Sequence, residues 1–125
     1  SASQTIDRII DVFPEGQQQQ IRVQLGNTLE AVFSQTLLPR LQPNGVKKGR
    51  IMAQEIMIKS NAISNLIREG KSAQIYSAIQ TGMGQGMQTL ETALSDLYKQ
   101  GLITREDALS KSQRPDEFRR LAGIQ

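Results

Sequence analysis

Apolar residues recur near the start of the chain with the spacing of a helix. The i, i+3, i+4, i+7 pattern of one helix face occurs at Ile6, Ile9, Ile10 and Phe13. We expect Pro14 and Gly16 to end this first helix. A second helix is predicted over residues 17–35, where a longer apolar stripe is formed by Ile21, Leu25, Leu29, Val32 and Phe33.

The middle of the chain changes to the two-residue period of strands. Residues 36–42 and 50–58 are predicted to be two strands, joined by the turn-forming sequence Pro43-Asn44-Gly45. Both faces of the second strand are apolar apart from one polar residue each, Gln54 and Glu55. A strand of this kind is usually covered on both sides, which suggests a larger sheet or an interface.

The rest of the sequence predicts short helices separated by glycine. Ser60 or Asn61 can cap a helix whose buried face is formed by Ile63, Leu66 and Ile67. Gly70 is expected to end that helix in a left-handed conformation, and another helix follows over residues 72–81. The apolar stripe of another helix is formed by Met87, Leu90, Leu94 and Leu97, and Gly101 is expected to end it. Thr104 with Asp107 indicates the start of the next helix, and Pro115 suits the first turn of the last one. The predicted fold class is mainly α with a small β-hairpin.

Composition excludes several classes of chemistry. The chain has 125 residues, enough for one domain or a large subdomain, and contains no cysteine and no histidine. Disulfides and nucleophiles paired with histidine are therefore impossible, and no apolar run reaches the roughly 18 residues of a membrane span. The net charge is +3, with basic clusters at residues 47–50 and 111–120. We interpret these clusters as solvated surface, not as a nucleic-acid site, because stacking aromatics are lacking.

Two glycine-containing segments superficially resemble phosphate-binding loops. Gly70-Lys71-Ser72 matches the end of such a loop, but position 65 is asparagine where a glycine is needed, and a helix is predicted before it. The segment from Gly82 to Gly86 has no preceding strand, so we expect a connection between helices. The acidic residues, which include Asp7, Asp11, Glu55 and Glu91, are scattered and are expected to lie on the surface. We therefore predict no catalytic, cofactor-binding or metal-binding residue.

The segment 62–71 carries the most specific motif of the chain. It resembles the A-I-R-N-L-I-R-E-x-K signature of the pilus retraction ATPases, the twitching-motility family of the secretion-ATPase superfamily. The matching residues are Ala62, Ile63, Asn65, Leu66, Ile67, Arg68, Glu69 and Lys71. Ser64 departs from the pattern, because the family usually has arginine there. Other segments match in family order, among them residues 1–14, 37–40, 86–90 and 101–106.

This resemblance implies a function that the residues alone do not indicate. It implies that residues 1–125 are the C-terminal subdomain of a RecA-like α/β ATPase, with the phosphate loop upstream of Ser1. The whole protein would be a hexameric motor that uses ATP and Mg²⁺ to retract type IV pili at the cytoplasmic face of the inner membrane. Its partners would be neighbouring subunits and the inner-membrane pilus platform, without nucleic acid. The charged side formed by Arg68, Glu69 and Lys71 would serve the working surface.

Two alternatives remain open from the sequence. One is a non-catalytic helical interaction module, and the other is the C-terminal part of a pilus-assembly or type II secretion ATPase. The signature favours retraction over assembly. On every reading we expect this segment by itself to be inactive as an ATPase, because it contains no intact phosphate loop.

Overall fold

The computed structural model describes all residues from Ser1 to Gln125 and confirms a mainly helical chain with one β-hairpin. Short 3₁₀ turns occupy Ser72–Gln74 and Met83–Gln85. No helix is both long enough and apolar enough to cross a membrane. The elements in chain order are α1 (Ala2–Asp11), α2 (Glu15–Thr28), β1 (Ala31–Leu41), β2 (Lys47–Ile58), α3 (Asn61–Arg68), α4 (Ile75–Thr81), α5 (Leu90–Lys99), α6 (Arg105–Lys111) and α7 (Pro115–Ala122).

The predicted helix over 17–35 is wrong in its last part. Helix α2 ends at Thr28, and Val32 and Phe33 belong to strand β1. The apolar stripe fits a helix as well as a strand, but pairing with β2 decides the conformation, since β2 continues to Ile58. The expected break at Gly16 is also wrong, because Gly16 lies inside the first turn of α2.

The register of the hairpin changes by one residue along its length. At the open end the N–H of Lys59 donates to the carbonyl of Glu30 at 2.8 Å, and near the turn Gln42 donates to Val46 at 2.9 Å. Between these two pairs, β2 therefore contains one residue more than β1. Gly49 in β2 has a φ of +78°, the left-handed conformation found at bulges of the glycine type.

The chain divides into two compact units, each with its own core. The first unit contains Ser1–Ser34 and Glu55–Gln88, and the second contains Gln35–Gln54 and Thr89–Gln125. The first core consists of Ala2, Ile6, Ile10, Met57, Ile63, Ile67, Ile75, Ile79 and Met87. The second core consists of Leu38, Ala53, Leu90, Ala93, Leu94, Ile103, Ala108 and Phe118. Burial of these side chains from water is the main force that stabilises each unit.

The predicted helix caps are largely confirmed. The Ser60 hydroxyl accepts from the N–H of Ile63 at 3.1 Å, and Thr104 accepts from the N–H of Asp107 at 3.1 Å. The Asp107 carboxylate forms an ion pair with Lys47 at 2.8 Å. The hydrogen bond from Lys47 holds the pKa of Asp107 below its usual range.

Two acidic residues predicted to be on the surface are buried. Glu55 accepts a hydrogen bond at 3.3 Å from the N–H of Ala2, at the start of α1. Glu91 accepts three, from the Ser112 hydroxyl at 2.9 Å and from the backbone N–H groups of Gln113 at 3.1 Å and Arg114 at 3.3 Å. Each carboxylate therefore satisfies donors at the start of a helix, where negative charge is favourable.

Helices α2 and α3 approach closely at a glycine. Gly26 is buried, and a β-carbon placed on it would lie 2.7 Å from Cγ of Arg68 and 2.9 Å from the carbonyl oxygen of Ser64. Both distances are shorter than real contacts of a β-carbon. The absence of a side chain at Gly26 thus permits the stem of Arg68 and the backbone of α3 to pack against α2.

We predict that Gly26→Ala lowers the free energy of unfolding by about 1–3 kcal/mol, because the added methyl group overpacks this contact. Gly16→Ala is the matched control within the same helix, since a β-carbon there meets nothing within 4 Å. That substitution should leave stability unchanged or raise it by up to about 1 kcal/mol. Urea denaturation of both variants measures the difference. Equal effects of the two alanines would contradict the close α2–α3 contact.

Candidate functional site

The signature motif forms helix α3 and its C-terminal turn. Helix α3 ends at Arg68, and Gly70, two residues later, has the predicted left-handed conformation with a φ of +71°. The N–H of Gly70 donates to the carbonyl of Ile67 at 3.2 Å, and the N–H of Lys71 donates to that of Leu66 at 2.9 Å. These paired bonds form a Schellman motif, which fixes the direction in which the chain leaves the helix.

The motif residues are divided between the first core and the surface. Ile63 and Ile67 are buried, whereas Leu66 is only half-buried at the edge of the same core. Ala62, Asn65, Glu69 and Lys71 are exposed, and Arg68 is half-buried. The predicted buried stripe is therefore confirmed at Ile63 and Ile67 but only partly at Leu66.

Arg68 is held in place by polar groups on both helices. Its guanidinium donates to Oδ1 of Asn27 on α2 at 2.8 Å and to Oδ1 of Asn65 on α3. Its backbone carbonyl accepts from Nε2 of Gln19 at 3.2 Å. Arg68 is predicted to belong to the charged side of the helix, but its stem packs against Gly26. The guanidinium thus has a fixed position that depends on α2.

Ser64, where the chain departs from the motif, is one of the buried residues of α3. Its side chain is buried, with 6% of the residue exposed, and its carbonyl oxygen lies close to Gly26. Ser64 is therefore a buried position of α3 whose backbone lies close to α2.

Glu69 and Lys71 form the exposed part of the charged side. Their carboxylate and ammonium groups lie 3.0 Å apart, and each side chain is about half exposed, at 54% and 53%. An ion pair of this kind contributes little to stability. These two residues are consequently accessible to another molecule without any change in the fold.

Gly70-Lys71-Ser72 lacks the geometry of a phosphate loop. The segment follows helix α3 instead of a strand, and Lys71 is paired with Glu69. The Ser72 hydroxyl donates to the Asp7 carboxylate at 3.1 Å. The N–H groups of Gly70 and Lys71 already donate to the carbonyls at the end of α3, so they are not available to surround a phosphate.

The second glycine-rich segment connects α4 to the residues before α5. A β-carbon on Gly82 would lie 2.7 Å from Cε of Met87, so the glycine allows Met87 to fold back into the first core. Gly86 has a φ of +91° and ends the 3₁₀ turn. A pocket of about 310 Å³ lies between this segment and the start of α3, lined in part by Asn61, Ala62 and Gln85.

The acidic side chains do not assemble into a metal site. No group of three or more acidic residues is arranged so that it could hold an ion. Asp7 and Asp11, which share a face of α1, are both exposed. The roles of Glu55 and Glu91 as buried acceptors were not predicted from the sequence. For Glu55 the available signal was its alternation with Ala53 and Met57, both of which are buried.

Comparison with known proteins identifies relatives of the whole chain, although no family model matches it. The type IV pilus retraction ATPase PilT of Pseudomonas aeruginosa is 49% identical over 118 residues, which cover 94% of this chain and 33% of that protein. A twitching motility protein of Neisseria gonorrhoeae is 44% identical over 117 residues, covering 94% of this chain and 30% of that protein. The chain thus spans about a third of the length of these relatives.

Solved structures agree with the sequence comparison. The pilus retraction motor PilT with bound ADP matches with a TM-score of 0.79 and 45% identity, over 94% of this chain and 31% of that one. The ATPase DotB of Legionella pneumophila matches with a TM-score of 0.64 but only 17% identity, which shows a shared fold alone. The chain is therefore similar, over 94% of its length, to the C-terminal part of pilus retraction ATPases.

Proposed function

We propose that this chain is part of an ATP-driven motor that retracts type IV pili. The observation that carries the proposal is the 49% identity to a pilus retraction ATPase, which runs over 94% of the chain. That range includes the signature helix α3, whose arginine is fixed by α2. A protein named for twitching motility, at 44% identity, also favours retraction over assembly.

The chemical step belongs to other parts of such a motor. ATP and Mg²⁺ would bind outside this chain, to a phosphate loop and acidic ligands that other parts of the motor would supply. The present residues would transmit the resulting motion, since two compact units with separate cores can serve as rigid bodies in a domain rotation. Residues 1–125 would then be the C-terminal subdomain, which carries output elements and not hydrolytic ones.

The exposed end of α3 is the part of the chain that we assign to the working surface. Arg68 is held by Asn27 and Asn65, so it presents a positive charge at a defined position. Glu69 and Lys71 flank it and are about half exposed. We propose that these charges contact the neighbouring subunit of a homo-hexamer. The ring would work in the cytoplasm against the inner-membrane pilus platform, without nucleic acid.

We expect the double substitution of Glu69→Ala and Lys71→Ala in the full-length motor to impair retraction without affecting folding. Surface substitutions usually change stability by no more than about 0.5 kcal/mol, so the melting temperature should stay close to that of the unaltered protein. Twitching motility in cells and thermal melting of the purified protein measure the two effects separately.

The exposed ion pair between Asp116 and Arg119 on α7 supplies the control. The corresponding double alanine variant removes the same number of charges from another surface and should twitch normally. If the Glu69 and Lys71 variant melts and twitches like this control, then the charged side of α3 has no working role.

The 125-residue chain by itself should not bind Mg-ATP with micromolar affinity. The physical reason is that Gly70-Lys71-Ser72 follows a helix and offers no cradle of backbone amides. Isothermal titration calorimetry with Mg-ATP measures the affinity directly. Saturable micromolar binding would show that the chain contains a nucleotide site that the proposal places elsewhere.

A further inference from the structure

Three cations near the turn of the β-hairpin have no acidic partner. Arg40, Lys48 and Arg50 are exposed, and no carboxylate lies within ion-pair distance of any of them. Residues 31–54, which contain the entire turn and most of both strands, include no acidic residue. Lys47 differs from the other three, because it pairs with Asp107 at 2.8 Å. We call Arg40, Lys48 and Arg50 the basic hairpin end.

The register of the hairpin brings two of these cations together. The hydrogen bond from Gln42 to Val46 places Arg40 of β1 across from Lys48 of β2. Like charges directly opposite each other on neighbouring strands destabilise the pair. Negative charge supplied from outside would relieve this repulsion, so the basic hairpin end is suited to an acidic surface.

The first unit of the same chain carries an acidic surface. Asp7 and Asp11 lie one turn apart on α1, and Glu15 begins α2. All three are exposed, and none forms an ion pair, although the exposed Arg8 lies between the two aspartates in sequence. Asp7 accepts only the Ser72 hydroxyl, at 3.1 Å. We call Asp7, Asp11 and Glu15 the acidic corner.

The remaining carboxylates of the first unit are already occupied. Glu30 pairs with Lys59 at 3.6 Å and Glu69 pairs with Lys71 at 3.0 Å, while Glu55 is buried. The acidic corner is therefore the part of this unit that offers unpaired negative charge. The units also differ in charge: the first has five basic and six acidic residues, whereas the second has ten basic and six acidic residues.

We propose that the basic hairpin end of one copy docks on the acidic corner of a neighbouring copy. Two different surfaces of one chain meet in this contact, and a head-to-tail contact of that kind closes into a ring when the rotation between copies permits. The inference rests on the proposed function in one respect, since it takes the motor to be a ring of identical subunits. It goes further by naming the surfaces that meet.

The contact is expected to orient copies more than to hold them together. Exposed ion pairs contribute little individually and are weakened by salt. Charge complementarity at the rim of an interface mainly fixes the register of the partners and disfavours wrong pairings. A contact of this strength can also break and re-form during a motor cycle.

Cysteine cross-linking tests the proposal, because the chain contains no cysteine of its own. Two forms of the full-length protein are made, one with Lys48→Cys and one with Asp11→Cys, and any cysteine outside this chain is replaced by serine. The forms are mixed, allowed to assemble with nucleotide, and oxidised. The control mixture pairs Asp11→Cys with Lys99→Cys, a substitution of an exposed lysine at the end of α5.

We expect about ten-fold more disulfide-linked dimer from the first mixture than from the control, because assembly raises the local concentration of the two thiols. Lys48→Glu with Arg50→Glu should weaken assembly in low salt. Adding Asp11→Lys with Glu15→Lys in the same protein should restore it, since each contact again joins opposite charges.

Equal cross-linking in the two mixtures would overturn the proposal. Failure to restore assembly when the charges of both surfaces are reversed in one protein would overturn it as well. If the ring forms and retracts pili normally in either case, the proposed function stands and only this contact is refuted. Selective loss of binding to anionic phospholipid vesicles in the hairpin variant, with assembly unchanged, would instead assign these cations to the membrane and also refute the contact.

Discussion

The close contact between α2 and α3 at Gly26 is the constraint on which the candidate site depends. Because Gly26 has no side chain, the backbone of α3 and the stem of Arg68 lie directly against α2. This approach brings Asn27 within 2.8 Å of the guanidinium of Arg68. The signature helix therefore does not present its charge by itself. Its arginine is positioned by a glycine and an asparagine that are about forty residues earlier in the sequence.

The same contact includes the backbone of Ser64, where the chain departs from the motif. Ser64 is buried, and its carbonyl oxygen would lie 2.9 Å from a β-carbon on Gly26. Of the charged residues in the motif, Arg68 is fixed, whereas Glu69 and Lys71 pair with each other and remain about half exposed. The helix thus combines a buried side that stabilises the first unit with a charged end that is exposed to solvent. Separate substitutions can test the two roles.

Local signals predicted most of the helices, whereas residues whose conformation depends on distant partners were harder to predict. Ser60, Gly70 and Thr104 act through bonds to near neighbours, and the structure confirms each of these signals. Residues 31–35 were predicted as helix because their apolar spacing fits the period of a helix as well as that of a strand. Only pairing with β2 decides between the two conformations. The resemblance located the motif but not the role of Asn27, because nothing in the sequence indicates that α2 and α3 touch.

A double-mutant cycle on Asn27 and Arg68 tests the central claim, that α2 positions the signature arginine. Urea unfolding is measured for the unaltered chain, for Asn27→Ala, for Arg68→Ala and for the double variant. Hydrogen bonding between the two side chains predicts that the double variant loses less than the sum of the single losses, with a coupling of about 1 kcal/mol. Losses that add to within about 0.3 kcal/mol would contradict the claim, since residues without a shared contact behave additively.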